Sequence, residues 1–82
     1  MQKSRKFEIA AIRVPVKRVK TLDRARVDAL AESMLEVGQK TPIMVRPDGD
    51  GFVLIEGLHR LEACRALGET TIEGYVVQAR KH

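Results

Sequence analysis

The sequence predicts a small α+β domain: one mixed sheet with two main helices, in the order β-α-β-β-α-β. Three observations lead there. An apolar stripe at helical spacing occupies residues 23–38. Two strand-like runs, TPIMVR and FVLIE, flank the turn PDGDG. The second run empties directly into a helical segment, EGLHRLEACRALG. Eighty-two residues make one domain near the lower size limit for an unaided core.

Residues 7–14, FEIAAIRV, mix β-branched and polar side chains and read as the first strand, ended by Pro15, which lacks a ladder donor. PVKRVKTL then reads as extended and basic. In DRARVDALAESMLEVG, Val27, Leu30, Ala31 and Met34 share one helical face, with Asp23 as N-cap and Gly38 just past the C-terminus. The Asp-Gly pairs of PDGDG favour positive φ, so residues 41–46 and 52–56 form a hairpin. Leu61, Cys64 and Leu67 put an apolar stripe on a helix over 58–67, and TIEGYVV (71–77) returns as the last strand. The domain is placed at 7–78, with 1–6 and 79–82 as flexible basic tails. Its expected core is Val27, Leu30, Met34, Ile43, Val45, Leu54, Leu61, Cys64, Leu67 and Val76.

Composition narrows the function. With 44% hydrophobic and 32% charged residues the chain is a folded domain, and no apolar run is long enough to span a membrane. The segment MQKSRKFEIA lacks the apolar centre of a signal peptide. The single cysteine permits no internal disulfide, so a cytoplasmic setting without membrane partners is expected. Net charge is +4 and lopsided: residues 1–40 hold ten Lys or Arg against five acids, residues 41–82 five against six. Such asymmetry suits phosphate contact. Three aromatic residues, Phe7, Phe52 and Tyr75, are too few for a base-stacking platform. The basic run Lys17, Arg18, Lys20 and Arg24 is the candidate for weak electrostatic DNA contact.

The chemistry concentrates at residues 56–60. A strand running through Gly57 into a helix lets backbone N–H groups approach an anion, with the helix dipole assisting. His59 and Arg60 in the first helical turn oppose that dipole unless a phosphate joins them. The alternative is a simple tight turn with Arg60 paired to Glu56 or Glu62. Arg26 and Ser33, seven apart, flank the buried stripe of the first helix, and Lys40 and Thr41 stand in the loop after it. Cys64 falls on the packed stripe. Asp48 and Asp50 are turn residues, since no further carboxylates follow at calcium-loop spacing. Two isolated histidines make no zinc site.

The segment LAESMLEVGQKTPIMVRPDGDGFVLIEGLHRLEACRALGETTIEGYVV resembles the ParB N-terminal, or ParB/sulfiredoxin, superfamily, over about Ile9 to Val77. The resemblance implies that family's small mixed sheet and a bound nucleoside triphosphate, CTP or ATP. Its phosphates would lie at Gly57, Leu58, His59 and Arg60. A Lys, a Ser and a Thr that touch the nucleotide in sulfiredoxin fall on Arg26, Ala29 and Ser33, and Ala29 lacks the hydroxyl. Sulfiredoxin's reactive cysteine corresponds to Leu58, so sulfinic acid reduction is not expected. Full partition proteins of the family continue into a helix-turn-helix and a dimerisation domain, neither of which is read here. The function implied is a nucleotide-binding domain, with Thr41 near the nucleotide, acting on or near DNA in plasmid or chromosome partition or in regulation of a mobile element. Its partners would be the nucleotide, DNA, and a second copy or a partner partition protein. The alternatives are a small enzyme of the same fold (an NTPase, a nuclease or a small-molecule kinase) and a protein-interaction module. For an enzyme, Glu32 and Glu56 are the candidate catalytic carboxylates. Mg2+ would bridge the phosphates and a carboxylate, with Glu56 the first choice and Glu32 the second.

Overall fold

The computed structural model describes residues 3–77. Strand β1 (Arg5–Glu8) leads through a 3-10 turn (Ile9–Ala11) into β2 (Ile12–Arg13), followed by the short helix α1 (Val16–Val19) and the long helix α2 (Arg24–Val37). The hairpin β3 (Ile43–Asp48) and β4 (Gly51–Glu56), helix α3 (Leu58–Ala66) and β5 (Thr71–Val76) complete the chain. The α+β class, the hairpin, both main helices and the last strand stand as the sequence predicts.

The N-terminal quarter differs. FEIAAIRV is two strands on opposite edges of the sheet, whose order is β1-β5-β3-β4-β2. β1 runs antiparallel to β5, with Phe7 beside Ile72, and β2 runs parallel to β4, with Ile12 beside Phe52. Laid flat, five strands would part those edges by about 19 Å. The four residue steps from Glu8 to Ile12 span at most about 14 Å. The sheet therefore curls, and Phe7 and Phe52 meet edge to face with ring centroids 4.9 Å apart. β1 takes in Arg5 and Lys6, assigned above to a tail. The tail at 79–82 lies outside the described residues.

PVKRVKTL is not extended. Pro15, with φ −57°, fixes the start of a helical turn, and its carbonyl accepts from the N–H groups of Arg18 and Val19. α2 begins at Asp23, whose carboxylate accepts the Ala25 N–H at 3.1 Å, and ends where Gly38 takes φ 78°.

The core lies inside the curl: Phe7, Ile9, Ile12, Ile43, Val45, Leu54, Leu58, Leu61, Cys64 and Ile72. α3 packs on β3 and β5, and α2 packs on α3. Only Val27 of α2 is buried, whereas Leu30 and Met34 are half-buried, as are Leu67 and Val76. Phe7, Ile9, Ile12 and Ile72, absent from the expected core, take the inner positions because the curl brings both sheet edges over them.

Candidate functional site

The site is built around Gly57. Its φ of 111° is open to glycine and strained for other residues. A Cβ there would stand 2.6 Å from Cγ2 of the fully buried Ile43. The chain thus turns from β4 into α3 while pressed against the core. The first residues of α3 have no side-chain cap, and the first intrahelical bond is Leu61 N–H to the Gly57 carbonyl at 2.8 Å. The amides of Leu58, His59 and Arg60 are the orphan donors of this helix start.

The three side chains that follow part company. Leu58 is buried in the core, so only its amide is available to a ligand. His59 lines the cleft, and its Nε2 accepts the Asp23 N–H at 3.0 Å. It ties the start of α3 to the start of α2. Arg60 is half-buried and forms no ion pair among the described residues. Glu62 pairs with Arg65 at 3.5 Å instead, and Glu56 stays exposed.

A cleft of about 360 Å³ opens over this turn, lined by Arg18, Thr21, Arg26, Leu30, Thr41, Pro42, Met44, Glu56 and residues 57–60. A smaller lobe of about 160 Å³ adjoins it, lined by Leu30, Ser33, Met34, Gly38, Lys40, Thr41 and Arg60. Leu30, Thr41 and Arg60 belong to both. Of the residues singled out by sequence, Arg26, Ser33, Thr41, Gly57, Leu58, His59 and Arg60 all line this composite cleft. Four cations, Arg18, Arg26, Lys40 and Arg60, face it against one carboxylate, Glu56. The resulting positive potential favours a polyanion.

Glu32 is exposed on α2 and is not among the cleft-lining residues, so its candidacy as catalytic base or metal ligand is not supported by its position. Among the described residues no three His, Cys, Asp or Glu side chains cluster as a metal site. Arg18, assigned above to DNA contact, lines the cleft, and its Nη1 donates to the Ile55 carbonyl at 2.6 Å. Lys17, Lys20 and Arg24 remain exposed. Sequence reasoning placed neither Arg18 nor Thr21 in the site. Pro15, with its φ preset for a helix start, was the available local signal for the turn that presents Arg18.

Cys64 lines a separate cavity of about 230 Å³ with Lys6, Gln39, Glu69 and Glu73. Burial, and then the nearby Glu69 carboxylate, push its thiol above the ordinary cysteine range, while Arg60 pulls weakly the other way. Its side chain belongs to the buried core cluster. At the far end of the hairpin, Arg13 pairs with Asp48 across the surface. That hydrogen bond and the guanidinium charge hold the Asp48 carboxyl below the usual carboxylate range.

The ParB N-terminal domain family model matches residues 1–82. A probable chromosome-partitioning protein ParB of Campylobacter jejuni is 39% identical over 57 residues, which is 70% of this chain and 20% of that protein. This chain therefore spans about one fifth of the curated relative's length. Sulfiredoxin from Arabidopsis thaliana superposes with a TM-score of 0.83 at 27% identity, over 94% of this chain and 86% of the other. The C-terminally truncated chromosome-partitioning protein ParB from Caulobacter crescentus, complexed with CTP-γ-S, gives a TM-score of 0.82 at 24% identity, over 96% of this chain and 46% of that one, a likeness of fold.

Proposed function

Because this chain belongs to the ParB N-terminal domain family, we propose that it binds a nucleoside triphosphate, CTP before ATP, in the cationic cleft, and that the bound nucleotide governs a role on or near DNA in partition. The observation that carries the reading is the placement of Arg60: a guanidinium free of ion pairs among the described residues, on a residue that carries one of the three uncapped amides, where the two lobes of the cleft meet. A half-buried arginine without a carboxylate partner leaves its guanidinium donors open to an anion, which they meet with charge-assisted bonds. The amides of residues 58–60 take phosphate oxygens along the helix dipole, and Arg60 grips two oxygens at once. Arg26 and Arg18 flank the same turn, and Ser33, Lys40 and Thr41 face the adjoining lobe.

Mg2+ fits this donor set in a limited way. It is held in nucleotide sites by one or two carboxylates together with phosphate oxygens, and Glu56 is the carboxylate in the cleft. When bound, the ion would offset phosphate charge. The enzyme alternative rests on Glu56 alone as base, since Glu32 stands elsewhere. Sulfinic acid reduction has no nucleophile here, with Leu58 at the turn and Cys64 lining another cavity. The DNA role rests on the exposed Lys17, Lys20 and Arg24 and on the relative's partition assignment. Calorimetric titration with CTP, ATP and GTP, with magnesium and with or without duplex DNA, tests the proposal. Saturable binding abolished by high phosphate supports it. No heat with any nucleotide refutes it. Turnover in the absence of DNA would favour the enzyme.

A further inference from the structure

The loop between α2 and β3 carries Lys40 and Thr41 to the cleft, yet residues 38–42 have no regular structure. The loop starts at Gly38, where nothing stands within 4 Å of the position a Cβ would take, so packing does not set its course there. One side chain holds it. Gln39 Nε2 donates to the Thr41 carbonyl at 3.0 Å and to the Glu73 carbonyl at 2.9 Å, and Gln39 Oε1 accepts the Glu73 N–H at 2.9 Å. A primary amide both donates and accepts, so it pairs with Glu73 as a backbone peptide of a neighbouring strand would. The register shows why one is needed. β3 and β5 run parallel with Ile43 beside Gly74, and the next residue back is Pro42, which has no N–H to give. The Gln39 side chain adds a rung to the ladder beyond the proline and ties the loop to the sheet in the same stroke.

The geometry points to Gln39 as a positioning residue for the cleft: its grip on Glu73 holds Lys40 and Thr41 facing the phosphate-binding turn. Gln39 itself lines the separate cavity beside Cys64, not the cleft. Anion affinity thus depends on a side chain that does not touch the anion. This rests on the nucleotide reading above.

The test is a double-mutant cycle on the full chain, read by calorimetry with CTP plus magnesium and, separately, with inorganic triphosphate. Gln39→Met keeps side-chain length and removes both hydrogen-bonding functions. Gln39→Met and Lys40→Ala are each expected to weaken binding about tenfold, the loss of one charge-assisted contact. In the Gln39→Met background, Lys40→Ala is expected to add less than about twofold, because a loosened loop no longer presents the lysine. Ile12→Val, a core change on β2 that lines neither the cleft nor the Gln39 cavity, lowers stability and leaves affinity unchanged, which separates positioning from general destabilisation. Should Gln39→Met fail to fold, Gln39→Glu, which keeps the acceptor and loses the donors, takes its place in the cycle. A Lys40→Ala effect of equal size in both backgrounds, or unchanged affinity in the Gln39 variant, overturns the inference while the nucleotide reading stands. A parent chain that binds neither probe removes both.

Discussion

Replacing Gly57 by alanine attacks the core and the β4–α3 turn through one methyl group. Two costs follow from the geometry. At φ 111° and ψ 32° a side chain is strained by about 1–3 kcal/mol. The new Cβ would also stand 2.6 Å from Ile43 Cγ2, 3.0 Å from its Cβ and 3.3 Å from its Cα. Ile43 is fully buried and has nowhere to retreat, so the clash is an overpacked core worth about 1–3 kcal/mol. The sum, about 2–6 kcal/mol, is a large part of the roughly 4–12 kcal/mol expected of a chain this long. Gly38→Ala provides the comparison. Its φ is 78° and its ψ −175°, a conformation held almost only by glycine, but the space beyond it is open, so it carries backbone strain alone, about 1–3 kcal/mol. Urea melts of the parent and both variants, analysed with a common slope, measure the difference. The packing cost is also expected to shrink when Ile43→Ala removes the obstructing Cγ2, so the Gly57→Ala, Ile43→Ala cycle should couple favourably. Equal midpoints for Gly57→Ala and Gly38→Ala would refute the claim that the turn is pressed against the core.

Arg60→Ala is expected to leave the stability of the free domain within about 0.5 kcal/mol, because no ion pair is lost, and to weaken nucleotide binding ten- to a hundredfold; thermal melts with and without CTP and magnesium check both, and a destabilised free protein would contradict them. Cys64 is expected to label slowly in the folded protein. Its raised thiol makes stability constant below the ordinary cysteine range and falling as pH climbs from there toward the folded value, a decline that Cys64→Ala removes in pH-dependent urea melts. Asp48 has the opposite sign: the Arg13 contact contributes above the ordinary carboxylate range and is lost as pH falls through the lowered folded value, so the Asp48 carboxyl carbon followed by NMR should titrate later in Arg13→Ala than in the parent on the way up in pH. Gel shifts with several duplexes should show weak binding that falls steeply with salt and has little sequence preference, and Lys17→Ala with Lys20→Ala should flatten the salt slope.

What the sequence made legible was what local signals encode. Asp23 and Gly38 bound α2, the Asp-Gly turn sets the hairpin, and Gly57 and Gly68 bracket α3. Where structure depends on distant partners, the same reading failed. FEIAAIRV divides because Phe7 finds Ile72 and Ile12 finds Phe52, pairings settled some forty to sixty-five residues away. α1 is four residues long, too short to show a period. The site followed the same rule. The residues gathered by the family resemblance line one cleft, and Arg18 joins them through a turn read as extended. His59 meets the Asp23 N–H from thirty-six residues earlier, a contact that no local pattern announces. Leu58 is at once a lining residue by its amide and a core residue by its side chain. No residue pattern announces a glutamine that stands in for a strand.

The β1–β5 pairing has a consequence for how such a domain is carried. Arg5, at the start of the first strand, lies beside Gly74, near the end of the last, so the chain enters and leaves along one selvedge of the sheet. β5, parallel to β3, runs away from the Thr41–Pro42 rim of the cleft, and so delivers its exit at the opposite end of the strands. Adjacent ends let a domain be spliced into a longer polypeptide like a cassette, since neither junction pulls a strand from its neighbour. Both junctions lie at the strand ends opposite the Thr41–Pro42 rim, so a segment joined there need not cross that edge of the cleft.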